Sequence, residues 1–215
     1  SPDLGAAASE AVWNDKLVRS SSYTCTGNIT PEDMFDPDNG IFDPNRYRVS
    51  DTYYQTMMWD SEKEEWVGRD KGEEVAELTY GYYYDANLAS LVIRDTTVTW
   101  YAQMATVDGL ETISAANVIS GDDYKTSVTA NYAGKLTKTY VDGLSGLSSH
   151  LDNLRSRSFY FIEDAQDKGD EMVDYTENYR GGFIPTLADL EKARTFTSYF
   201  YYGYTEGAGV KASEG

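Results

Sequence analysis

Cysteine and histidine are almost absent from this chain. Among its 215 residues there is one cysteine, Cys25, and one histidine, His150. A single cysteine excludes an intramolecular disulfide, and we expect Cys25 to act as a small buried hydrophobic residue. The same counts exclude a zinc site built from several cysteines and histidines. The chain therefore lacks the side chains that most often supply metal ligands, nucleophiles and titration near neutral pH.

Catalytic motifs are missing as well. Ser148 and Ser149 directly precede His150, but a catalytic Ser–His pair is assembled in space from separated segments of a chain. We therefore expect His150 to be a surface or interface residue. The segment Gly143–Gly146 lacks the remaining positions of a nucleotide-binding glycine loop. Carboxylates number 36, too many for one pair to be singled out, so the sequence predicts a protein that is not an enzyme.

Long apolar runs and basic residues are also scarce. The longest apolar stretches, such as Leu91-Val92-Ile93, fall far short of the roughly 20 residues that span a bilayer, which predicts no membrane span. Thirty-six acidic and eighteen basic residues give a net charge of −18 and a pI near 4.3. Such a chain repels phosphate, so we expect no sequence-specific nucleic-acid binding. Scattered acids suit a marine or halophilic setting, where molar salt screens the repulsion; an ordinary soluble acidic protein is the alternative.

Tyrosine, by contrast, is abundant, with nineteen residues, many of them in two runs. The runs are Tyr80-Gly81-Tyr82-Tyr83-Tyr84 and Tyr199-Phe200-Tyr201-Tyr202-Gly203-Tyr204. Successive side chains of a strand point to opposite faces of a sheet, so each run predicts aromatic rings on both faces. The second face would then be covered by the same chain, by another subunit, or by a stacked carbohydrate. The predicted interface residues are Tyr82, Tyr83, Tyr84, Tyr199, Tyr201 and Tyr202.

Strand signals dominate the chain from residue 51 onward. Leu144, Leu147, Leu151 and Leu154 lie at helical spacing and predict a helix over 143–156. A capping box at Thr186–Asp189 predicts a second helix over 186–194. The polar stretch 164–180 is expected to be a loop, with some helix as the alternative. One hairpin, with a tryptophan on each arm, is predicted to join 51–59 to 65–69 across the polar turn 60–64, and another to join 104–107 to 110–113 at Asp108-Gly109. The predicted strands are 51–59, 65–69, 75–84, 96–101, 104–107, 110–113, 125–141, 158–163 and 195–204.

These elements predict a single β-rich α+β domain. Its antiparallel strands would form a sandwich or a barrel-like sheet, with one or two helices and an extended terminal arm. The expected division is an N-terminal arm over 1–22, one β-rich domain over 23–205 and a flexible tail over 206–215.

A loop rich in aspartate is the best metal candidate. Asp36, Asp38 and Asp43 alternate with turn residues, and oxygen-rich loops of this kind suit Ca²⁺. The segment fails the EF-hand pattern, since Ile41 and Tyr47 occupy the positions of the required glycine and glutamate. A turn-rich loop without metal is the alternative, so no cofactor is expected beyond possible Ca²⁺.

Together these features predict a non-enzymatic structural subunit of a symmetric assembly. A virion component, such as a tail-tube, capsid or accessory protein, is the leading hypothesis, with copies of itself or other structural subunits as partners. The alternative is a secreted or cell-surface binding module, using exposed rings on carbohydrate with Ca²⁺ support. The expected location is accordingly a virion or the extracellular space.

Overall fold

A computed structural model describes most of the chain. The described residues are 16–24, 47–60, 62–103, 112–119, 123–144, 150–162, 167–202 and 210–211. Within them the chain forms one large antiparallel sheet of nine strands, two helices and two small two-stranded sheets. The predicted β-rich antiparallel fold with two helices is therefore confirmed. The sheet does not close on itself within these residues, and no barrel forms there.

The strands follow one another in nearly the order in which they pair. Eight of them lie in the order β1-β2-β5-β6-β8-β9-β10-β11, β7 pairs with β6, and every pairing is antiparallel. β3 and β4 form a separate hairpin, as do β12 and β13. The strands are β1 Arg19–Tyr23, β2 Arg48–Gln55, β3 Met57–Asp60, β4 Glu65–Gly68, β5 Val75–Asp85, β6 Ser90–Ala102, β7 Ile113–Ser114, β8 Lys125–Ala133, β9 Leu154–Phe161, β10 Met172–Tyr179, β11 Arg194–Tyr199, β12 Tyr201–Tyr202 and β13 Val210–Lys211.

One face of the large sheet carries the hydrophobic core. Trp100 and Leu78 are fully buried there, and the helices α1 (Lys138–Asp142) and α2 (Leu187–Ala193) supply buried residues to the same cluster. Burial of apolar side chains against the strands is the main stabilising term for such a layer. The cluster consists of Leu78, Tyr80, Val98, Trp100, Val128, Ala130, Tyr132, Val141, Leu144, Leu151, Leu154, Phe159, Tyr179, Ile184 and Leu190.

The second predicted helix is confirmed and the first is wrong. The Thr186 side chain caps α2 by accepting a hydrogen bond from the Asp189 backbone N–H. In the range 143–156, by contrast, Gly143 ends α1 and Leu154 begins β9, while residues 145–149, which include Leu147, lie outside the described residues. Leu144, Leu151 and Leu154 are all buried in the core. These leucines belong to a turn and a strand that both face the core. Their spacing matches that of a helix, so periodicity alone cannot tell the two arrangements apart.

Two other predicted elements need correction. The strand expected over 125–141 ends at Ala133, because Gly134 adopts a positive φ of 76° and Thr137 then caps α1. The loop expected over 164–180 contains β10. That strand was missed because its inward position Glu177 is a carboxylate, and no local feature of the sequence indicates that it is buried.

The hairpin predicted between 51–59 and 65–69 is confirmed in β3 and β4. Trp59 lies opposite Trp66 in its register. At the ends of the chain, β1 begins at Arg19 and pairs with β2, and Val210–Lys211 pairs with β12. Most of the hairpin expected around Asp108-Gly109 lies outside the described residues. Among those residues no helix has the length and apolar character needed to cross a bilayer.

Gly81, inside the first tyrosine run, makes room for a carboxylate of the neighbouring strand. Gly81 pairs with Asp95 of β6, and a Cβ placed on it would lie only 3.0 Å from the Asp95 carboxyl carbon. Asp95 is buried and forms an ion pair with the more exposed Arg94. The absence of a side chain at Gly81 thus allows this pair to form against the strand.

We predict that Gly81→Ala destabilises the fold by about 1–3 kcal/mol, the usual cost of overpacking. The steric conflict is with Asp95, so Asp95→Ala should relieve it, and the double variant should lose less stability than the sum of the two single changes. Urea unfolding of the four proteins measures this coupling. Additive effects would show that the Asp95 carboxylate is not the reason why position 81 requires glycine.

Candidate functional site

The last strand of the large sheet exposes aromatic rings on both of its faces. Within the described residues, β11 pairs with β10 on one side only, so it forms an edge. Phe196 is 60% exposed and Tyr199 is 52% exposed. Phe196 lies opposite Asn178 and Tyr199 opposite Tyr175, which places the two rings on different faces of the sheet. An edge strand with exposed rings is a template for pairing with another chain.

The chain leaves the sheet directly after this edge, and further rings follow. The Phe200 backbone N–H donates to the Asp174 carbonyl at 3.0 Å, and the Tyr202 hydroxyl donates to the Val173 carbonyl at 2.7 Å. Both bonds hold the segment beside β10. Phe200 and Tyr201 remain exposed, so this segment extends the aromatic surface of β11. We call Phe196, Tyr199, Phe200 and Tyr201 the aromatic edge.

The tyrosines of the first run lie elsewhere in the sheet. Tyr82 packs against the core, and its hydroxyl donates to Asp51 Oδ2 at 3.0 Å. Burial and the Asp51 carboxylate raise the pKa of Tyr82, which keeps the phenol neutral. Tyr84 is half-buried and Tyr83 is exposed, in the alternation expected of a strand. Five strand spacings, roughly 24 Å, separate β5 from β11, so the fold does not bring the two runs together.

Hydroxyl and amide side chains form part of the sheet face opposite the core. One row of directly paired residues crosses all eight strands of the main path, and a second row crosses five. Paired positions share a face of the sheet. The first row is Ser20, Thr52, Thr79, Thr97, Asn131, Ser156, Asn178 and Phe196, and the second is Thr99, Thr129, Ser158, Thr176 and Ser198. We call the twelve residues other than Phe196 the hydroxyl face.

Hydrogen bonds link these side chains across neighbouring strands. The hydroxyl oxygens of Thr52 and Thr79 lie 2.9 Å apart, and those of Ser158 and Thr176 lie 2.8 Å apart. On the strands between them, the Asn131 amide donates to Thr97 Oγ1 at 3.0 Å. Several polar groups of the hydroxyl face therefore have partners within the face itself.

The sequence contains a signal for this face that was not among the predicted features. Thr97-x-Thr99, Thr129-x-Asn131 and Ser156-x-Ser158 each repeat a small polar residue at the period of a strand. Only the pairing register shows that these repeats align with one another.

The β3–β4 hairpin presents a second aromatic surface. The rings of Trp59 and Trp66 meet edge to face, with centroids 5.7 Å apart. Both rings are exposed, and so is Met57, which lies two residues from Trp59 and shares its face. This exposed apolar cluster on a short hairpin is separate from the aromatic edge.

The proposed calcium ligands Asp36, Asp38 and Asp43 lie outside the described residues, as does Cys25. Where the structure is described, no three His, Cys, Asp or Glu side chains come together as a set of metal ligands.

A buried ion network joins three strands beneath the helices. Arg157 of β9 donates to Glu177 Oε2 at 2.7 Å, Arg194 donates to Glu177 Oε1 at 2.7 Å, and the Tyr179 hydroxyl also donates to this carboxylate. Burial opposes ionisation of Glu177, but these hydrogen bonds hold its pKa below its ordinary value. The charges of Glu177, Arg157 and Arg194 are thus paired with one another and link β9, β10 and β11.

A second buried carboxylate lies between the sheet and α1. Glu77 accepts hydrogen bonds from Gln55 and from the Lys138 ammonium, which also bonds to Asp142 at 2.9 Å. Burial, assisted by the Asp142 carboxylate, raises the pKa of Glu77 to about 7, although Lys138 acts in the opposite direction. Because its pKa is raised in the folded state, we expect the contribution of Glu77 to stability to depend on pH.

His150 is half-buried between two tyrosines. The Tyr140 hydroxyl lies 2.9 Å from His150 Nδ1, and the Tyr132 ring packs beside the imidazole. Burial lowers the pKa of His150, although Asp152 opposes this effect. The residue is therefore part of the packing between β8 and α1.

Comparison of the chain with protein-family models, with curated proteins and with solved structures finds no match.

We predict that Glu77 makes the wild-type fold less stable as the pH rises from 4.5 to 7. The folded state retains a proton on Glu77 that the unfolded chain has already released, so unfolding becomes more favourable by up to about 3 kcal/mol. The variant Glu77→Gln lacks this term. The free energy of unfolding of wild type, relative to Glu77→Gln, should therefore fall across this range in urea titrations. Parallel pH profiles would contradict the shifted pKa.

Proposed function

We propose that this protein is a non-enzymatic structural subunit that assembles with copies of itself. The observation that carries the proposal is the aromatic edge, an exposed strand with large rings on both faces at one side of an open sheet. A strand edge offers unpaired backbone groups to a neighbour, and aromatic residues are enriched at the centres of protein interfaces. β1 is the opposite edge among the described strands, so copies could join edge to edge.

The charge of the chain specifies the conditions under which assembly should occur. Copies that each carry −18 repel one another at low ionic strength, whereas molar salt shortens the screening length to about 3 Å. Contacts should therefore form through surfaces with few charges, such as the aromatic edge. This requirement supports a marine or halophilic setting. A virion component is the setting we propose, and the sandwich expected from the sequence would be completed between subunits.

Assembly through the aromatic edge predicts a specific response to substitution. Phe196→Lys and Tyr199→Lys should lower the mass of the assembly at least twofold, because a lysine on an edge strand opposes pairing. Each change reduces the net negative charge of the subunit, so the loss could not come from greater overall repulsion. Light scattering after size-exclusion chromatography in molar salt measures the mass.

The control is Phe183→Lys, which changes an 80% exposed phenylalanine that is not part of β11. It should leave the mass unchanged, and all three variants should keep the wild-type circular dichroism. A wild-type protein that remains monomeric at high concentration in both low and molar salt would overturn the proposal.

A carbohydrate-binding module is a second candidate, favoured by the exposed Trp59–Trp66 pair. Aromatic faces stack on sugar rings, and the two exposed tryptophans, which meet edge to face, would each offer one ring to a sugar. In this proposal the protein is secreted or displayed on a cell surface, and Asp36, Asp38 and Asp43 would hold a supporting Ca²⁺.

This candidate predicts glycan binding that depends on tryptophan. Trp59→Ala and Trp66→Ala should each abolish retention on a glycan array, while Phe183→Ala should not, and a calcium chelator should weaken the binding. A lack of retention for the wild-type protein in the presence of Ca²⁺ would exclude it.

A further inference from the structure

The hydroxyl face carries no charged side chain. A quarter of the residues in this chain are charged, so three of twelve positions would be charged if acids and bases were spread evenly. The ion pair of Arg94 and Asp95 borders the face on β6 but does not enter its two rows. The two rows thus contain no charged residue in a protein with a net charge of −18, and Asp95, which lies on the same side of β6 two residues before Thr97, is paired with Arg94.

The hydroxyl face can also be covered at a low desolvation cost. Burying a hydroxyl is costly mainly when its hydrogen bond is lost. Here the pairs Thr52–Thr79 and Ser158–Thr176 keep their bonds within the face. A threonine whose hydroxyl bonds sideways still offers its methyl group to a layer above.

The size of the face fits contact with a second sheet. Eight strands at a spacing of about 4.8 Å give a row roughly 34 Å long, and the two rows, one of eight residues and one of five, together cover about 400 Å². Two sheets that pack face to face lie about 10 Å apart. A contact of this size belongs to the weaker class of protein interfaces, so a single inserted charge should disrupt it.

We propose that the hydroxyl face is the contact surface for a second copy of this chain, which stacks its own hydroxyl face on it to form a two-sheet sandwich. The partner is another copy because an equally acidic chain can approach closely only where both surfaces lack charge. An isologous contact brings one such face against another. This inference deepens the proposed function and rests on it, but it concerns a different surface from the aromatic edge.

The test inserts one lysine at the centre of the face. Thr97→Lys, and separately Thr129→Lys, should raise the dissociation constant of the face-to-face dimer at least tenfold in molar salt. The matched control is Thr139→Lys, which changes an exposed threonine on α1, at the side of the sheet that carries the core. Sedimentation velocity measures association, and circular dichroism verifies folding for each protein.

The measurement is made in the background of Tyr199→Lys, which weakens the edge contact and leaves the hydroxyl face unchanged, because Tyr199 lies on the opposite face of the sheet from Phe196. We expect a dimer in this background, converted to monomer by Thr97→Lys but not by Thr139→Lys. Two results together would overturn the face contact and leave edge assembly unaffected. The protein would be a monomer in this background, and Thr97→Lys in an otherwise wild-type chain would not change the mass of the assembly. A monomeric wild-type protein would remove both proposals.

Other occupants of the face give different results. In one such result the wild-type protein is retained on cellulose or chitin, and Thr97→Lys abolishes this retention without changing the mass of the protein in solution. That result would assign the face to a neutral polysaccharide and overturn the proposal. The variant Thr97→Cys, made in a Cys25→Ser chain, places a single thiol on the face. If this thiol resists labelling in the dilute monomer, the chain covers its own face. That result would also overturn the proposal.

Discussion

The structure depends on one pairing register that continues across eight antiparallel strands. Directly opposed residues run from Ser20 on β1 to Phe196 on β11 without a change of face. The register shifts lie beside this row and do not interrupt it. Because side chains alternate with a period of two, a slip of one residue would exchange core and hydroxyl positions. The buried network around Glu177 joins β9, β10 and β11 and opposes such a slip at that side of the sheet.

The two proposed contact surfaces of this sheet differ in direction. The aromatic edge faces along the sheet, toward a neighbouring strand, and the hydroxyl face lies perpendicular to it. Neither surface includes acidic residues, although the chain as a whole is strongly acidic. Repulsion elsewhere on the surface would restrict association to these two directions, and salt would tune its strength. A subunit with two such directions of contact is suited to an extended or closed assembly.

The sequence predicted the elements whose side chains follow a simple local rule. The capping threonine Thr186 located α2, and paired tryptophans around a polar turn located the β3–β4 hairpin. The helix over 143–156 failed because leucines separated by three or four residues also serve a turn and a strand that face one core. β10 failed because Glu177 is buried against Arg157 and Arg194, partners that are distant in sequence. The hydroxyl face was missed for the same reason, since it exists only when the strands are in register.

Contact between copies of this chain through the β11 edge is the central element of the proposed function. Hydrogen exchange of the β11 backbone amides tests this contact most directly, because pairing with another chain would protect the amides that point away from β10, which an edge strand leaves exposed. We expect those amides within residues 194–199 to exchange slowly at high protein concentration in molar salt, and rapidly after dilution to monomer. Exchange at these residues that is equally fast at both concentrations, while the core strands stay protected, would contradict the edge contact.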